Sequence, residues 1–144
     1  MTPTFVEVND LERRRLYSLT ASLSGVDLVR VLPSGLTVAS ALVHLAFWDE
    51  YCDALLLEWQ GSGFAPVRGD LDAINAAVGA IALAVPASAA IVLACEAADR
   101  ADSRAARLSP ELVATIESEG YSFIFNRAVH RRFHLDQIAR VVAA

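Results

Sequence analysis

The stretch TVASALVHLAFWDEYCDALLLEWQ, residues 37–60, decides the fold. Ala41, Leu45, Trp48, Cys52, Leu55, Leu56 and Trp59 recur at three- and four-residue steps, the spacing of an apolar face on an α-helix. Thr37 is placed to cap its start, and Gly61, Gly63 and Pro66 end it near Gln60. This face is the densest in the chain, so the helix is expected at the centre of the molecule. His44 lies on the same broad face, one turn after Ser40 and one turn before Trp48.

Working outward, Asn9 followed by Glu12 reads as a helix start, and Leu11, Leu16, Leu19 and Leu23 continue it until Gly25. Pro33, Ser34 and Gly35 form a loop before Thr37. On the other side, Asp70 or Asp72 caps a helix through Ile74, Val78, Ile81 and Val85, and Pro86 breaks it. A third long helix runs from about Ala87 to Arg104. Ser109-Pro110-Glu111 joins a cap, a first-turn proline and an early acid, and opens a short helix ending at Gly120. A last helix spans about Ser122 to Val142. No pair of alternating runs flanks a tight turn, so no strand is predicted. The reading is an all-α four-helix bundle with short additional helices, in one domain over residues 1–144.

Composition agrees with buried helices: hydrophobic residues make up 55% and charged residues 20% of the chain, which excludes disorder. Much of the apolar fraction is alanine, which favours helix and lets helices approach closely. The net charge of −5 argues against a nucleic-acid partner, since phosphate binding needs a clustered positive field. Arg13, Arg14 and Arg15 form the only basic run, and consecutive helical residues point in different directions. Cys52 and Cys95 sit in apolar helical text without a CxxC spacing, as small buried hydrophobes in a reducing compartment. No signal segment opens the chain, and the apolar stretch Ala73 to Cys95 is interrupted by Asn75, Gly79 and Pro86. A cytoplasmic, soluble protein that does not engage membranes is the expectation.

The chain has three histidines. His130 and His134 are four residues apart in helical text, so both imidazoles lie on one face, roughly 6 Å apart along the axis. A chance HxxxH in a helix is common, and Arg131 stands where a zincin would carry glutamate. His44, on the inward face of the central helix, is the candidate third ligand. Three neutral imidazoles suit zinc, nickel, iron or copper better than calcium or magnesium. Arg127, seven positions before His134, shares that face and is placed either to receive a carboxylate or to sit in a salt bridge. Arg131 points further round the helix, as a structural residue. Asp49 and Glu50 are candidates to orient a ligand ring, or else solvated surface groups. Asn75 is placed to cap or bridge helices, Trp48 to wall a pocket, and Cys52 to pack in the core or serve as a fourth, soft ligand.

The runs Gly35-Leu-Thr-Val-Ala-Ser-Ala-Leu-Val-His44-Leu-Ala-Phe-Trp-Asp49, Asp72-Ala-Ile-Asn75 and Arg127-Ala-Val-His130-Arg-Arg-Phe-His134-Leu-Asp-Gln-Ile138 resemble the DinB/YfiT superfamily of metalloenzymes. That group includes mycothiol-dependent maleylpyruvate isomerases and bacillithiol S-transferases. Many of its members carry Gly-Trp-Thr where this chain has Gly35-Leu36-Thr37, a packing change. The resemblance implies an up-down-down-up bundle, often a homodimer, with a divalent metal near one end. It maps the metal ligands onto His44, His130 and His134, with Zn or Ni as the expected ion. The activity it implies joins a low-molecular-weight thiol, the thiol cofactor, to a small-molecule electrophile; Arg127, by its position on the face of His134, is the candidate to bind the acidic part of that cofactor. No catalytic acid or base is assigned. The alternatives are a non-catalytic, stress-related bundle binding a metal or a small hydrophobe, and a metal-hydroxide hydrolase.

Overall fold

A computed structural model describes residues 1–144. It contains α1 (Phe5–Ala21), α2 (Gly25–Leu28), α3 (Val38–Ser62), α4 (Leu71–Ala82), α5 (Ala87–Ala105), α6 (Pro110–Ser118), a 3-10 turn (Ser122–Ile124) and α7 (Ala128–Ala143). There is no sheet, only an isolated bridge between Val31 and Thr37 across the Pro33–Gly35 loop. No helix is long and apolar enough to cross a membrane.

Most helix starts follow the local chemistry of the sequence. Thr37, Asp70 and Ser109 each accept a backbone N–H of the first turn, and α5 begins directly after Pro86. Helix α4 stops at Ala82, short of the expected Val85, and three further boundaries differ from the expectation. Helix α1 starts at Phe5, because Thr4 and Glu7 form a reciprocal capping box ahead of the Asn9 and Glu12 pair. Gly25 does not terminate a helix but opens α2, which Ser24 and Asp27 cap in the same reciprocal way. The last helix does not start at Ser122, since residues 122–124 form the 3-10 turn and α7 begins at Ala128. Leu11, counted on the apolar face of α1, is largely exposed.

The polar contacts between the long helices fix their directions. Asn9 meets Arg127, Glu12 meets Arg132 and Arg15 meets Asp136, so α1 and α7 run parallel. Glu50 meets Arg100 and Asp53 meets Arg104, so α3 and α5 are also parallel. Arg13 reaches Asp102 and Tyr17 reaches Asp99, which makes α1 antiparallel to α5. Asp49 reaches Arg127 and Arg131 while His44 reaches His130, which makes α3 antiparallel to α7. The order is up-down-down-up, and the connection carrying α4 returns the chain so that α3 and α5 can point the same way. The Arg13–Arg15 run is neutralised in place by Asp10, Asp99, Asp102, Glu12 and Asp136.

The core has two apolar halves. Leu16, Leu42, Leu45, Ala90, Ala94, Leu135 and Ile138 belong to one, and Cys52, Leu56, Trp59, Ala105, Ile116, Ile124 and Phe125 to the other. The buried alanines of α5 present no bulk, which lets it lie close against α3. Between the halves lies a layer of buried charge. Arg131 has no solvent exposure, and its guanidinium donates to both oxygens of Asp102 at 2.7 and 2.8 Å and to Asp49 at 3.2 Å. Burial works to lower the pKa of Arg131, but the Asp49 and Asp102 carboxylates outweigh it and hold the pKa above the ordinary value.

Asn9 caps a helix other than its own. From the middle of α1, its Oδ1 accepts the backbone N–H groups of Arg127 at 2.8 Å and Ala128 at 3.0 Å, and its Nδ2 donates to the Phe125 carbonyl at 2.8 Å. These are the first N–H groups of α7, which has no side-chain cap within its own segment.

Two substitutions test this layer by urea unfolding. Arg131→Met leaves two buried carboxylates short of a partner and is expected to lower stability by about 3–5 kcal/mol. Asn9→Ala is expected to cost about 1–2 kcal/mol, the range of a lost helix cap.

Candidate metal centre

The layer that buries Arg131 also sets the position of α7 against α3, and so brings three imidazoles together. His44 projects from α3, and His130 and His134 from successive turns of α7. Ring centroids are 4.8 Å apart for His44–His134 and His130–His134, and 5.3 Å for His44–His130. One nitrogen of each ring lies within 4.8 Å of the others, close enough for one ion to be shared.

All three rings are held in the neutral form that metal ligation requires. Burial, then the charge of Arg127, pushes the pKa of His130 down to about 2. Burial, then His44 and Arg127, lowers that of His134 to about 4. His44 is shifted down by burial first and Arg127 second. His134 Nδ1 is buried with no hydrogen-bond partner, an unsatisfied polar group within the cluster.

Arg127 is the second feature of the centre. Its Nε donates to Asp49 Oδ1 at 2.8 Å, its Nη1 to the Phe123 carbonyl at 3.0 Å, and its Nη2 to His130 Nδ1 at 2.8 Å. A guanidinium only donates, so His130 Nδ1 carries the lone pair and Nε2 the proton. That proton faces His44 Nε2, 3.3 Å away. The donor set therefore fits a cation on one condition: for His130 to bind through Nε2, its proton must leave that nitrogen. A protonated Nδ1 cannot face the guanidinium, so Arg127 Nη2 has to withdraw.

A groove of about 430 Å³ opens beside His44 and His130, walled by Trp48, Arg127, Phe123 and Phe133 among others. A scan of family models, a search of curated proteins and a search of solved structures each find no match to this chain. The fold is all-α and strand-free, and its triad of histidines is consistent with a metal-binding bundle.

The other candidates of the sequence fall into place around the triad. Asp49 orients no imidazole directly; it accepts from Arg127 and Arg131, and reaches His130 only through Arg127. Glu50 is paired with Arg100 at the surface. Asn75 bridges α4 to α3, accepting Trp48 Nε1 at 2.8 Å. Cys52 packs in the apolar half away from the triad, and burial pushes its thiol up to about 11, so it is a core residue. Phe133, whose ring lies 5.1 Å from that of His134, and Asn126 also belong to the site's surroundings and were not singled out by sequence reasoning. The spacing of Val129, His130 and Phe133 on one face of α7 was the available signal for Phe133.

The depressed histidines set a pH dependence. In the unfolded chain each titrates near 6.5, whereas the folded protein keeps them neutral well below that. As pH falls below about 6.5, the unfolded state gains protons that the folded state refuses, so stability is full above this value and drops below it. Metal-free protein is expected to lose up to about 1.4 kcal/mol per pH unit for each such histidine between pH 6.5 and 5. Chemical denaturation should show a shallower slope for His130→Asn.

Proposed function

We propose that the chain holds one divalent transition metal, Zn or Ni, on His44, His130 and His134, and acts as a metal-dependent enzyme joining a low-molecular-weight thiol to a small electrophile. The convergence of three neutral imidazoles beside a groove carries this reading. Three protein ligands leave a coordination position open, the pattern of catalytic sites. When bound, the cation supplies Lewis acidity that lowers the pKa of a thiol or water.

The chain's own residues supply the rest. Arg127 lines the groove, and its guanidinium is suited to hold a carboxylate of substrate or thiol cofactor. Trp48, Phe123 and Phe133 give the groove beside the triad an aromatic wall. In the transfer, sulfur forms the bond to carbon, the leaving group departs with its electron pair, and the thiol proton passes to solvent. No carboxylate lines the groove, so no side-chain base is assigned. That absence disfavours hydrolysis. The mainly apolar lining also accommodates a second reading, a non-catalytic bundle that sequesters a small hydrophobe.

Zinc and nickel titrations against a chromogenic chelator are expected to give one ion per chain, with affinity falling more than about tenfold in His44→Ala, His130→Ala or His134→Ala. Wild-type binding unchanged in all three would remove the metal site. Assays of the metal-loaded protein with mycothiol, bacillithiol, glutathione or coenzyme A and a model electrophile then separate enzyme from binder. No metal-dependent rate with any thiol leaves the binder.

Arg127→Gln is expected to bind metal about tenfold more tightly than wild type in the same competition, because it removes a hydrogen bond that favours the proton on His130 Nε2.

A further inference from the structure

The groove beside the triad has an apolar rim and a floor of donors. Leu71 from the start of α4, Phe123 from the 3-10 turn, and Val129 and Phe133 from α7 all line it, and each is more than half exposed. Large apolar side chains gathered around one opening mark a surface that an apolar ligand body covers. A volume of about 430 Å³ is that of a small-molecule site rather than of a protein interface.

Apart from the histidines and the Trp48 indole, three side chains supply polar groups. Asn75 Oδ1 is engaged by Trp48 Nε1, which leaves its amide N–H groups for a ligand. Asn126 lines the groove as well, with its Oδ1 buried and without a hydrogen-bond partner. Arg127 is 4% exposed and uses three of its five N–H groups, on Asp49, Phe123 and His130. Two remain. No carboxylate lines the groove, and Asp49 divides its charge between Arg127 and Arg131, so the neutralisation of Arg127 is incomplete.

From the donor floor and the apolar rim together, we infer that the electrophilic substrate is a small hydrophobic carboxylate, an alkyl or aryl acid whose anion meets Arg127 and whose body lies against Phe123, Phe133, Leu71 and Val129. This rests on reading the groove as the substrate site, and it adds what that substrate must carry. A neutral amide of the same shape places an N–H₂ group against a floor of donors. An amine places a cation against a guanidinium. Both are discriminated against by the unpaired donors and by charge.

The probes are 4-phenylbutyrate, 4-phenylbutyramide and 4-phenylbutylamine, titrated calorimetrically into the metal-free full chain so that direct coordination of the carboxylate plays no part. The acid is expected to bind at least about tenfold more tightly than the amide, with the amine weaker than both. Phe133→Ala should weaken acid and amide alike, whereas Arg127→Gln should abolish the preference for the acid and keep amide binding. Equal binding of acid and amide to wild type overturns the inference, and so does binding of none of the three. Both results come from the unaltered protein, so they stand whether or not a variant folds. The metal titration is read separately: metal binding without acid preference removes this inference alone, and acid preference without metal binding removes the metal reading alone.

Discussion

Arg131 carries a positive charge at a point that water does not reach, and the arrangement of all four long helices follows from neutralising it. An isolated buried charge is prohibitively costly, so each of its carboxylate partners has to be delivered at hydrogen-bond distance from a different helix. Asp49 comes from α3 and Asp102 from α5, while Arg13 of α1 shares Asp102 and closes the ring. Apolar packing on either side of this layer tolerates small slips of one helix along another. A bidentate pair at 2.7 and 2.8 Å does not. The charged layer thus acts as a register pin, and the two apolar halves supply the burial that makes the bundle worth pinning.

Register matters because the triad is split between helices. His130 and His134 sit on α7 immediately around Arg131, and His44 sits on α3 just before Asp49. The contacts of Asp49 with Arg127 and Arg131 therefore constrain the distance from His44 to the α7 pair. Asn9 fixes the same end of α7 from a third direction, by accepting the N–H of Arg127 itself. Fold stability and site geometry share one set of bonds here, which leaves little room for the layer to drift without moving the imidazoles.

What was legible in the sequence divides along the same line. Helices capped by their own residues, at Thr37, Asp70 and Ser109, are readable because cap and helix are contiguous. The HxxxH spacing is readable because one helix carries both rings. The pattern Asn9-x-x-Glu12 misled for a physical reason: it has the composition of a capping box, yet Thr4 and Glu7 form one earlier, freeing Asn9 to cap α7 and Glu12 to pair with Arg132. No local rule reveals a cap delivered across the bundle. Arg127 had two open readings, carboxylate binder or salt bridge; the structure shows the salt bridge to Asp49, in a residue that also lines the groove. Asp102 gave no signal, since its role exists only once Arg131 and Arg13 are brought beside it.

An arginine against an imidazole has consequences that the usual arrangement does not. Histidine ligands ordinarily donate their outer N–H to a carboxylate or carbonyl, which fixes the metal-binding tautomer in advance. At His130 the polarity is reversed: Arg127 donates, and the ring keeps its proton on the nitrogen that faces His44. The His130–His44 pair is thereby satisfied, since the Nε2 proton bridges the two rings and neither needs to take up charge, while His134 Nδ1 stays without a partner. A cation held by the three histidines would take the place of that proton and would free Arg127 Nη2 from His130. Occupancy of the triad and availability of the guanidinium would then be linked through one hydrogen bond, and linkage is reciprocal. An anion that drew Arg127 away from His130 would favour the tautomer that accepts metal, just as a bound metal would free Arg127 for the anion.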